Sequence, residues 1–209
     1  MPDAAPPSES APANQNVARG LATRRHLIEV ATHLFATLGY EDTSIEAVLN
    51  QAGVSRGSLY HHFAGKEALF EAVLEEMEND IGARVVEGSA GAPDAAATLR
   101  LGCTQWVQMA GDPVVRQVLL IDAPSVLGWD RWRALEERHA LGLIKALVGL
   151  MADQGEVEPS LVDVFSHVIL ASINEIALMI ALADDPERAQ RDGAAAIDEV
   201  LTRLLPGQS

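Results

Sequence analysis

Two adjacent histidines, His61 and His62, are the first candidates for chemistry in this chain, because imidazole can ligate a metal or transfer a proton. They lie in the segment Gly53–Phe70, GVSRGSLYHHFAGKEALF. On a helix, adjacent side chains diverge by about 100°, and no Cys, Asp or Glu stands four residues from either histidine in the same short helix. We therefore predict no metal at these histidines.

A second candidate for metal chemistry is the pair Glu136 and His139, which has the E-x-x-H spacing of carboxylate-bridged di-metal bundles. Such bundles need a second pair, and the sequence contains none. Asp163 and His167 share a helical face but would supply only two ligands. No nucleophile-elbow, zinc-protease or phosphate-loop motif is found. We predict no metal and no cofactor, and we predict that the protein is not an enzyme.

The polar residues of the segment Gly53–Phe70 have the types and order of a DNA-contacting surface. Arg56 would stand in the first turn of a helix, where it can reach guanine or a phosphate. Gly57 and Ser58 are small enough for the backbone to come close to DNA. Tyr60 and His61 can contact a phosphate or a thymine methyl group. Leu59 and Phe63 share one helical face at i and i+4, so both can belong to the hydrophobic core. A purely structural interpretation does not explain why small residues and an arginine cluster at the start of the helix.

Short helices separated by tight turns must position these residues. Apolar residues at i, i+3, i+4 and i+7 spacing predict a first helix over Thr23–Leu38, capped by its first residue and ended by Gly39. The sequence TSIE at Thr43–Glu46 is a capping box with Thr43 as the N-cap of a second helix. Thr43 and Ser44 can also offer hydroxyl groups to a phosphate.

The turn after the second helix has the spacing of a helix-turn-helix. The second helix would end near Ala52, and Ser55 can cap a third helix over Arg56–Phe63. The connecting turn is about three to four residues long and contains Gly53. Lys66 then begins a fourth helix, where its charge and the free backbone N–H groups suit a phosphate.

The remainder of the chain also reads as helices. Gly, Asp and Pro residues divide it into predicted helices from residue 66 to about residue 82 and over residues 94–110, 113–121, 128–154, 159–183 and 186–205. Residues 121–129 are predicted to be a loop or a helix break that could gate a pocket. No segment shows the alternation of apolar and polar residues that predicts a β-strand. We therefore predict an all-α fold of about nine helices, three of which form an N-terminal unit.

Charge is distributed unevenly along the chain. The net charge is −15, yet residues 16–66 carry five basic against four acidic side chains, and residues 67–209 carry −14. This asymmetry is compatible with a small polyanion-binding head on an acidic body. The single cysteine and the lack of a signal-peptide pattern predict a cytoplasmic protein. Residues 1–18, rich in Pro, Ala, Ser and Asn, are predicted to be a disordered tail.

The ungapped segment TSIEAVLNQAGVSRGSLYHHFAGKEALF resembles the helix-turn-helix of tetracycline-repressor-type (TetR family) transcriptional regulators, and the resemblance covers roughly residues 23–75. It implies an all-α homodimer in which residues 19–66 bind DNA and residues 67–209 bind a small effector and the partner subunit. It also implies phosphate contacts at Tyr60 and Lys66 and base contacts at Arg56 and Ser58. The positions implied to contact DNA are Thr43, Ser44, Ser55, Arg56, Gly57, Ser58, Tyr60, His61, His62 and Lys66.

The helix predicted over residues 159–183 is apolar on two faces, which indicates burial on two sides. One side can be the domain core and the other a subunit interface, and the sequence does not decide which is which. The alternative is a monomeric core helix. The residues predicted at a dimer interface, as in TetR-like proteins, are Val164, Val168, Ala171 and Leu178 in this helix and Ile197, Leu201 and Leu204 in the last one.

Aromatic residues and one amide in the body are candidates for an effector pocket, since such sites are apolar with a few polar groups. Aromatic residues at helical spacing are also common in plain cores. Asn174 could orient an effector or simply bond a neighbouring carbonyl group. The candidate pocket residues are Trp106, Met109, Trp129, Trp132, Phe165 and Asn174.

These observations predict a ligand-responsive DNA-binding regulator. We expect a repressor that binds a palindromic operator as a homodimer and is released by a small-molecule effector. The competing hypothesis is a small-molecule-binding or catalytic helical protein with a degenerate DNA-binding head. The sequence does not identify the effector, the operator or the regulated genes.

Overall fold

The computed structural model describes residues 11–204 of the 209-residue chain, with side chains described from residue 16 onward. Every regular element in this range is helical. The elements are α1 (Ala11–Asp42), α2 (Ile45–Ala52), α3 (Arg56–His62), α4 (Lys66–Gly88), α5 (Ala95–Met109), π1 (Val115–Asp122), α6 (Ala123–Leu127), α7 (Trp129–Glu136), π2 (Glu137–Leu141), α8 (Gly142–Asp153), a 3-10 turn (Pro159–Leu161), α9 (Val162–Ala181) and α10 (Pro186–Leu204). If segments that continue directly into each other are counted as one, the described range has nine helices, which confirms the predicted all-α fold.

The N-terminal helices pack around one small apolar core. Leu27 and Phe35 of α1, Val48 of α2 and Leu59 of α3 are all fully buried. The Phe35 ring also meets the ring of Phe70 from α4 edge to face, with 5.0 Å between their centroids. Because these residues recur at helical spacing, each helix buries one face and leaves the other exposed. The exposed face of α3 is therefore presented at the surface of the head.

Helix α1 is longer than the sequence predicts. It begins at Ala11, so residues 11–18 of the predicted disordered tail are helical, while residues 1–10 lie outside the described residues. Thr23 is not a cap, since its hydroxyl group donates to the carbonyl of Arg19 at 3.0 Å. The predicted stop at Gly39 is a kink within α1: this residue has φ 81° and ψ 166°, a backbone conformation that favours glycine, and a short helical stretch follows it up to Asp42.

The N-cap of α2 is Ser44 and not Thr43. The Ser44 hydroxyl group accepts a hydrogen bond from the backbone N–H of Ala47 at 3.1 Å. Thr43 is fully buried, and its hydroxyl group donates to the carbonyl of Gly39 at 2.7 Å. The predicted capping box is therefore not formed: with Ser44 as the N-cap, the third helical position is Ala47 and not Glu46.

Helix α4 connects the head to the body. It begins at Lys66, the last residue of the predicted head, and continues to Gly88, beyond the predicted end near Gly82. In the body, α9 packs against α5, α8 and α10. Gly193 of α10 is buried, and a methyl group there would lie 2.8 Å from the Cγ2 atom of Ile176. The missing side chain thus allows α10 to lie close to α9.

A second connection between head and body lies where a loop or a helix break was predicted. Residues 121–127 are helical, and the helix breaks only at Gly128, which has φ 73°. The carboxylate of Asp122 accepts a hydrogen bond from the backbone N–H of Tyr40 at 2.8 Å and another from the Gln117 side chain at 3.0 Å. The end of α1 is therefore tied to π1.

The apolar helix formed by Pro159–Ala181 is long and apolar enough to span a membrane by length and composition alone. In this fold, 44% of its most apolar window is buried inside the protein. It lies in the middle of the body against α5, α8 and α10, which is the environment of a core helix.

Candidate functional site

The exposed face of α3 brings together most of the residues predicted to contact DNA. Ser55 caps the helix, since its hydroxyl group accepts from the backbone N–H of Ser58 at 3.2 Å. Arg56, Gly57 and His61 are exposed, and Tyr60 is 47% exposed although it is aromatic. An exposed aromatic residue beside a serine-capped helix start leaves donors and an apolar ring open to a partner.

Arg56 does not extend freely into solvent. Its guanidinium group forms an ion pair with the carboxylate of Glu46 on α2, and both side chains are more than half exposed. Pairs of this kind contribute little to stability, because water competes for both charges. Arg56 can therefore leave Glu46 for another partner at small free-energy cost, and the pair holds the side chain at the surface beside α2.

Ser44 is exposed at the start of α2 and remains open to a phosphate, whereas Thr43 is excluded from contact by its burial. His61 and His62 stack edge to face with centroids 5.0 Å apart, and His62 is half-buried. Partial burial, then the neighbouring charges of His61 and Arg24, lower the pKa of His62. A lower pKa favours the neutral imidazole ring. His62 is therefore a weaker phosphate partner than its inclusion among the predicted DNA-contacting residues implies.

Lys66 has a structural partner in addition to any role at DNA. Its ammonium group donates to the carbonyl of Tyr40 at 2.9 Å and lies 4.1 Å from the centre of the Tyr40 ring. It thereby satisfies a carbonyl group at the end of α1. The start of α4 has no side-chain cap, because its N-cap is Gly65, so its first backbone N–H groups remain open to an anion.

A second site lies inside the body, where a cavity of about 260 Å³ opens between α4, α5, α8, α9 and the junction of α7 with π2. Its walls are mainly aliphatic. The apolar side chains that line it include Ile81, Val85, Leu99, Trp106, Leu143, Ile144, Leu147 and Ile173. A cavity of this size and composition suits a small apolar molecule.

Two of the six predicted pocket residues, Trp106 and Asn174, line this cavity. The other four lie elsewhere. Trp129 is 59% exposed on α7 and packs against the buried Trp132, with their rings 5.0 Å apart, while Met109 and Phe165 pack against the core. Helical spacing correctly grouped these aromatic residues, but it could not tell which face of each helix borders the cavity.

The cavity also holds two acids that sequence reasoning missed. Glu78 and Glu136 are each only 6% exposed and both line the cavity. The Asn174 amide donates to the Glu136 carboxylate at 2.6 Å. Burial, followed by the charge of Glu75, raises the pKa of Glu78 to about 7. Burial, followed by the charge of Glu78, raises the pKa of Glu136 to about 8.

A pattern in the sequence could have revealed these acids. Glu78 stands four residues after Leu74 and three before Ile81, and Glu136 stands four residues after Trp132. All three neighbours are buried, so each acid occupies a position that helical spacing assigns to the inner face. An acid on an apolar stripe is the informative exception.

A row of ion pairs joins α4 to the adjacent α7 and π2 outside the cavity. Arg131 pairs with Glu67 at 2.7 Å and also with Glu71, and both Arg138 and His139 contact Glu75, at 2.6 and 2.8 Å. These pairs run along α4 from the head towards the cavity. They link π2, which borders the cavity, to the helix that begins in the head.

The apolar stripes of α9 face different environments. Ile169, Ile173 and Ile180 are buried in the core, whereas Val164 is 54% exposed and Val168 42% exposed, and Leu182 at the following helix end is 69% exposed. Ala171 is also exposed and Leu178 is half-buried. The stripe that contains Val164 and Val168 is thus the one open to a partner.

The last helix departs from the predicted interface. Ile197 and Leu201 are fully buried within the protomer, and only Leu204 of the three predicted residues is partly open. Both buried residues are needed to fasten α10 to its own body, because they occupy the inner face of an amphipathic helix with many polar residues. They are not available to a second chain.

Comparisons with known proteins agree with this two-part architecture. The family described as "Bacterial regulatory proteins, tetR family" matches residues 27–73, and the family described as "Tetracyclin repressor-like, C-terminal domain" matches residues 96–204. The second match alone covers more than half of the chain. A solved TetR-family transcriptional regulator from Pectobacterium atrosepticum has a TM-score of 0.79 and 30% identity, covering 92% of this chain and 98% of that one.

Two curated relatives extend the comparison. The chain is 33% identical over 117 residues to the transcriptional regulator AcrR of Shigella flexneri, covering 55% of this chain and 46% of that protein. It is 26% identical over 195 residues to the A-factor receptor protein of Streptomyces griseus, covering 90% of this chain and 64% of that protein. The chain therefore spans less than two thirds of the length of these curated relatives.

Proposed function

The chain belongs to the TetR family of transcriptional regulators, and we propose that it is a repressor that binds operator DNA as a homodimer and is released by a small effector. The observation that carries this proposal is the course of α4. The helix begins at Lys66 in the head, and its Glu78, Ile81 and Val85 form one wall of the body cavity. A molecule in the cavity therefore touches the same helix that positions the DNA-contacting surface.

In the proposed complex, α3 enters the major groove with its first turn towards the base edges. Arg56 leaves Glu46 to contact a base or a phosphate, and the Gly57 and Ser58 backbone comes close to DNA. Tyr60 and the start of α4 contact phosphates on one side, while Ser44 at the start of α2 contacts them on the other. Ser55, His61 and His62 complete this surface at its edges.

We propose that two chains pair through the exposed stripe of α9. Val164, Val168 and Leu182 form an apolar surface on the side opposite the core. A twofold axis along this stripe would place two heads on one face of the dimer, which matches an operator with two half-sites. The proposed location is the cytoplasm, where the operator DNA would be found.

Release is proposed to work by differential affinity. The effector would bind the cavity more tightly in one arrangement of α4, π2 and the head than in the other. Glu67, Glu71 and Glu75 on α4 are held by Arg131 and Arg138, so a shift at π2 is passed to α4 through ion pairs. By linkage, the effector then weakens DNA binding by the same factor by which DNA weakens effector binding.

The test is binding of the full-length chain to duplex DNA from upstream of its own gene, measured by fluorescence anisotropy against a scrambled duplex of equal length. Specific binding should weaken by about 100-fold or more between roughly 50 and 200 mM salt, because phosphate contacts release counterions. Sedimentation of the same complex should give two chains per operator. A folded chain that binds neither duplex at low salt would overturn the proposal.

A further inference from the structure

The walls of the body cavity are mainly apolar, and their polar residues include the acids Glu78 and Glu136 together with Asn174 and His139. Glu78 reaches it from α4 and Glu136 from the end of α7, and both are buried to the same extent as the aliphatic side chains around them. Removing a carboxylate from water is costly unless hydrogen bonds or an opposite charge replace the lost hydration. Two acids at one cavity thus need partners in some state of the protein.

Within the described residues, those partners are largely missing. Glu78 has no hydrogen bond and no ion pair, and Glu136 has only the Asn174 amide at 2.6 Å. The basic groups nearby have other partners. Arg138 and His139 contact Glu75, and the Arg133 guanidinium lies 3.4 Å from the Glu137 carboxylate. In the part of the chain that the structure describes, no cation therefore forms an ion pair with either buried acid, and Arg133 lowers the pKa of Glu136 without contacting it directly.

We propose that the effector is an apolar molecule that carries a protonated amine, and that Glu78 and Glu136 bind its ammonium group while the aliphatic wall holds its hydrocarbon part. This inference rests on the proposed function, because it assigns a chemical class to the effector of that regulator. An ammonium group supplies the charge and the hydrogen-bond donors that both carboxylates lack. A carboxylate ligand would be repelled, and a neutral alcohol can satisfy only part of the acidic pair.

Proton release is a consequence of this assignment. Burial raises the pKa of both acids, and a neighbouring charge adds to the effect: Glu75 at Glu78, to about 7, and Glu78 at Glu136, to about 8. The groups that face them are Glu75, which is paired with Arg138 and His139, and Arg133. An ammonium group favours the ionised form of each acid, so its binding expels protons. Affinity for an amine should therefore rise from pH 6 to pH 8.

The experiment is isothermal titration calorimetry of the full-length chain with three ligands of matched length: n-octylamine, octan-1-ol and sodium octanoate. Octylamine should bind saturably, with one molecule per chain and at least about tenfold more tightly than octan-1-ol, as charge-assisted hydrogen bonds predict. Octanoate should bind more weakly than the alcohol. Octylamine affinity should increase between pH 6 and pH 8, with proton release shown by titration in two buffers of different ionisation enthalpy.

Glu78→Gln and Glu136→Gln should each weaken octylamine binding by at least about tenfold and change octan-1-ol binding much less. Glu76→Gln is the matched control, because Glu76 lies exposed on the same helix outside the cavity. Glutamine preserves side-chain shape, and thermal unfolding verifies that each variant is folded.

Equal binding of octylamine and octan-1-ol by the wild-type chain would overturn the inference. So would an absence of saturable octylamine binding, an affinity that does not change with pH, or full octylamine affinity in both glutamine variants. Calorimetry uses no DNA, so this result is independent of the operator test. A chain that binds its operator and is released by a neutral or anionic molecule would retain the proposed function and lose only the amine assignment.

Discussion

The proposed DNA-contacting surface on α3 and the body cavity differ in how far their polar groups are exposed to water. At the surface, Arg56 and Tyr60 are exposed, and Arg56 is paired with the exposed Glu46. In the cavity, Glu78 and Glu136 are removed from water. Exposed polar groups are hydrated, so they cost the unliganded fold little free energy. A buried acid without a partner lowers the stability of the unliganded fold. Substitutions in the two regions should therefore separate binding from stability.

The largest expected effect is on stability at Glu136. Its pKa is raised to about 8 from an ordinary value of 4.5, so the folded protein holds a proton that the unfolded chain has lost between these pH values. Unfolding free energy should fall with rising pH across this window, by about 2–4 kcal/mol. Glu136→Gln should remove most of this slope and make the protein more stable than wild type at pH 8. Urea unfolding at pH 5, 6.5 and 8 measures both effects.

For the control, Glu76→Gln changes an exposed acid on α4 outside the cavity and should leave the pH slope intact. If Glu136→Gln keeps the wild-type slope, the buried acid is not the source of the pH dependence, and the contrast between the cavity and the surface is wrong.

At the DNA-contacting surface, Arg56→Ala should act on binding and not on folding. We expect a loss of about 1–3 kcal/mol of operator affinity together with relaxed preference between the operator and a variant half-site. The melting temperature should change little, because the lost Glu46 pair is exposed. Anisotropy titrations on both duplexes measure this. Arg84→Ala is the control, because Arg84 also forms an exposed ion pair, with Asp80 one turn earlier in α4, but lies outside the head. Equal losses in the two variants would point to general charge attraction.

Gly57→Ala tests whether the backbone of α3 must approach DNA closely. Nothing in the free protein requires glycine here, because an added Cβ atom would meet only the Ser55 hydroxyl oxygen, at 4.0 Å. Alanine should stabilise the helix by up to about 1 kcal/mol and yet weaken operator binding. Thermal unfolding and anisotropy on the same preparation separate the two outcomes. Unchanged DNA affinity would show that the backbone of α3 at Gly57 does not come close to the duplex.

The least selective effect on DNA binding is expected at Lys66. Lys66→Ala removes a bond of 2.9 Å to the Tyr40 carbonyl, so stability should fall by about 0.5–1.5 kcal/mol. Operator and scrambled DNA should both be bound more weakly by a similar factor, because a phosphate contact carries no sequence preference. Competition titrations with the two duplexes test this. A selective loss on the operator would give Lys66 a role in base recognition.

Local signals made the head predictable from sequence. Ser55 begins a helix because its hydroxyl group accepts a hydrogen bond from the backbone N–H of Ser58. The turn at Gly53 is short, so it allows few arrangements of the two helices that it joins. The one shift, from Thr43 to Ser44, involves adjacent hydroxyl residues with equal capping ability. Which of them faces the helix depends on the turn at Gly39, whose geometry is set by packing.

The cavity was less predictable, because its members come from helices that are distant in sequence. Glu78 follows Glu75 and Glu76 in a run of acids that is typical of an exposed helix face. Only the packing of α4 inside the body shows that Glu78 is buried. The acid Glu136 has a similar neighbour in Glu137, which is exposed. In α10, helical spacing placed Ile197 and Leu201 on one apolar face, but the prediction that they meet a partner subunit was wrong, because both are buried in their own protomer.

The hydrogen bond from the Tyr40 N–H to Asp122 has a consequence for building chimeric regulators. The head and body are often regarded as exchangeable modules, yet here a donor at the end of α1 depends on an acceptor 82 positions away in the body. Transplanting residues 1–65 onto a foreign body without an equivalent acid would leave that N–H without its acceptor, at a cost of about 1–3 kcal/mol. A functional hybrid would have to carry Asp122 and its supporting Gln117 across the junction together with the head.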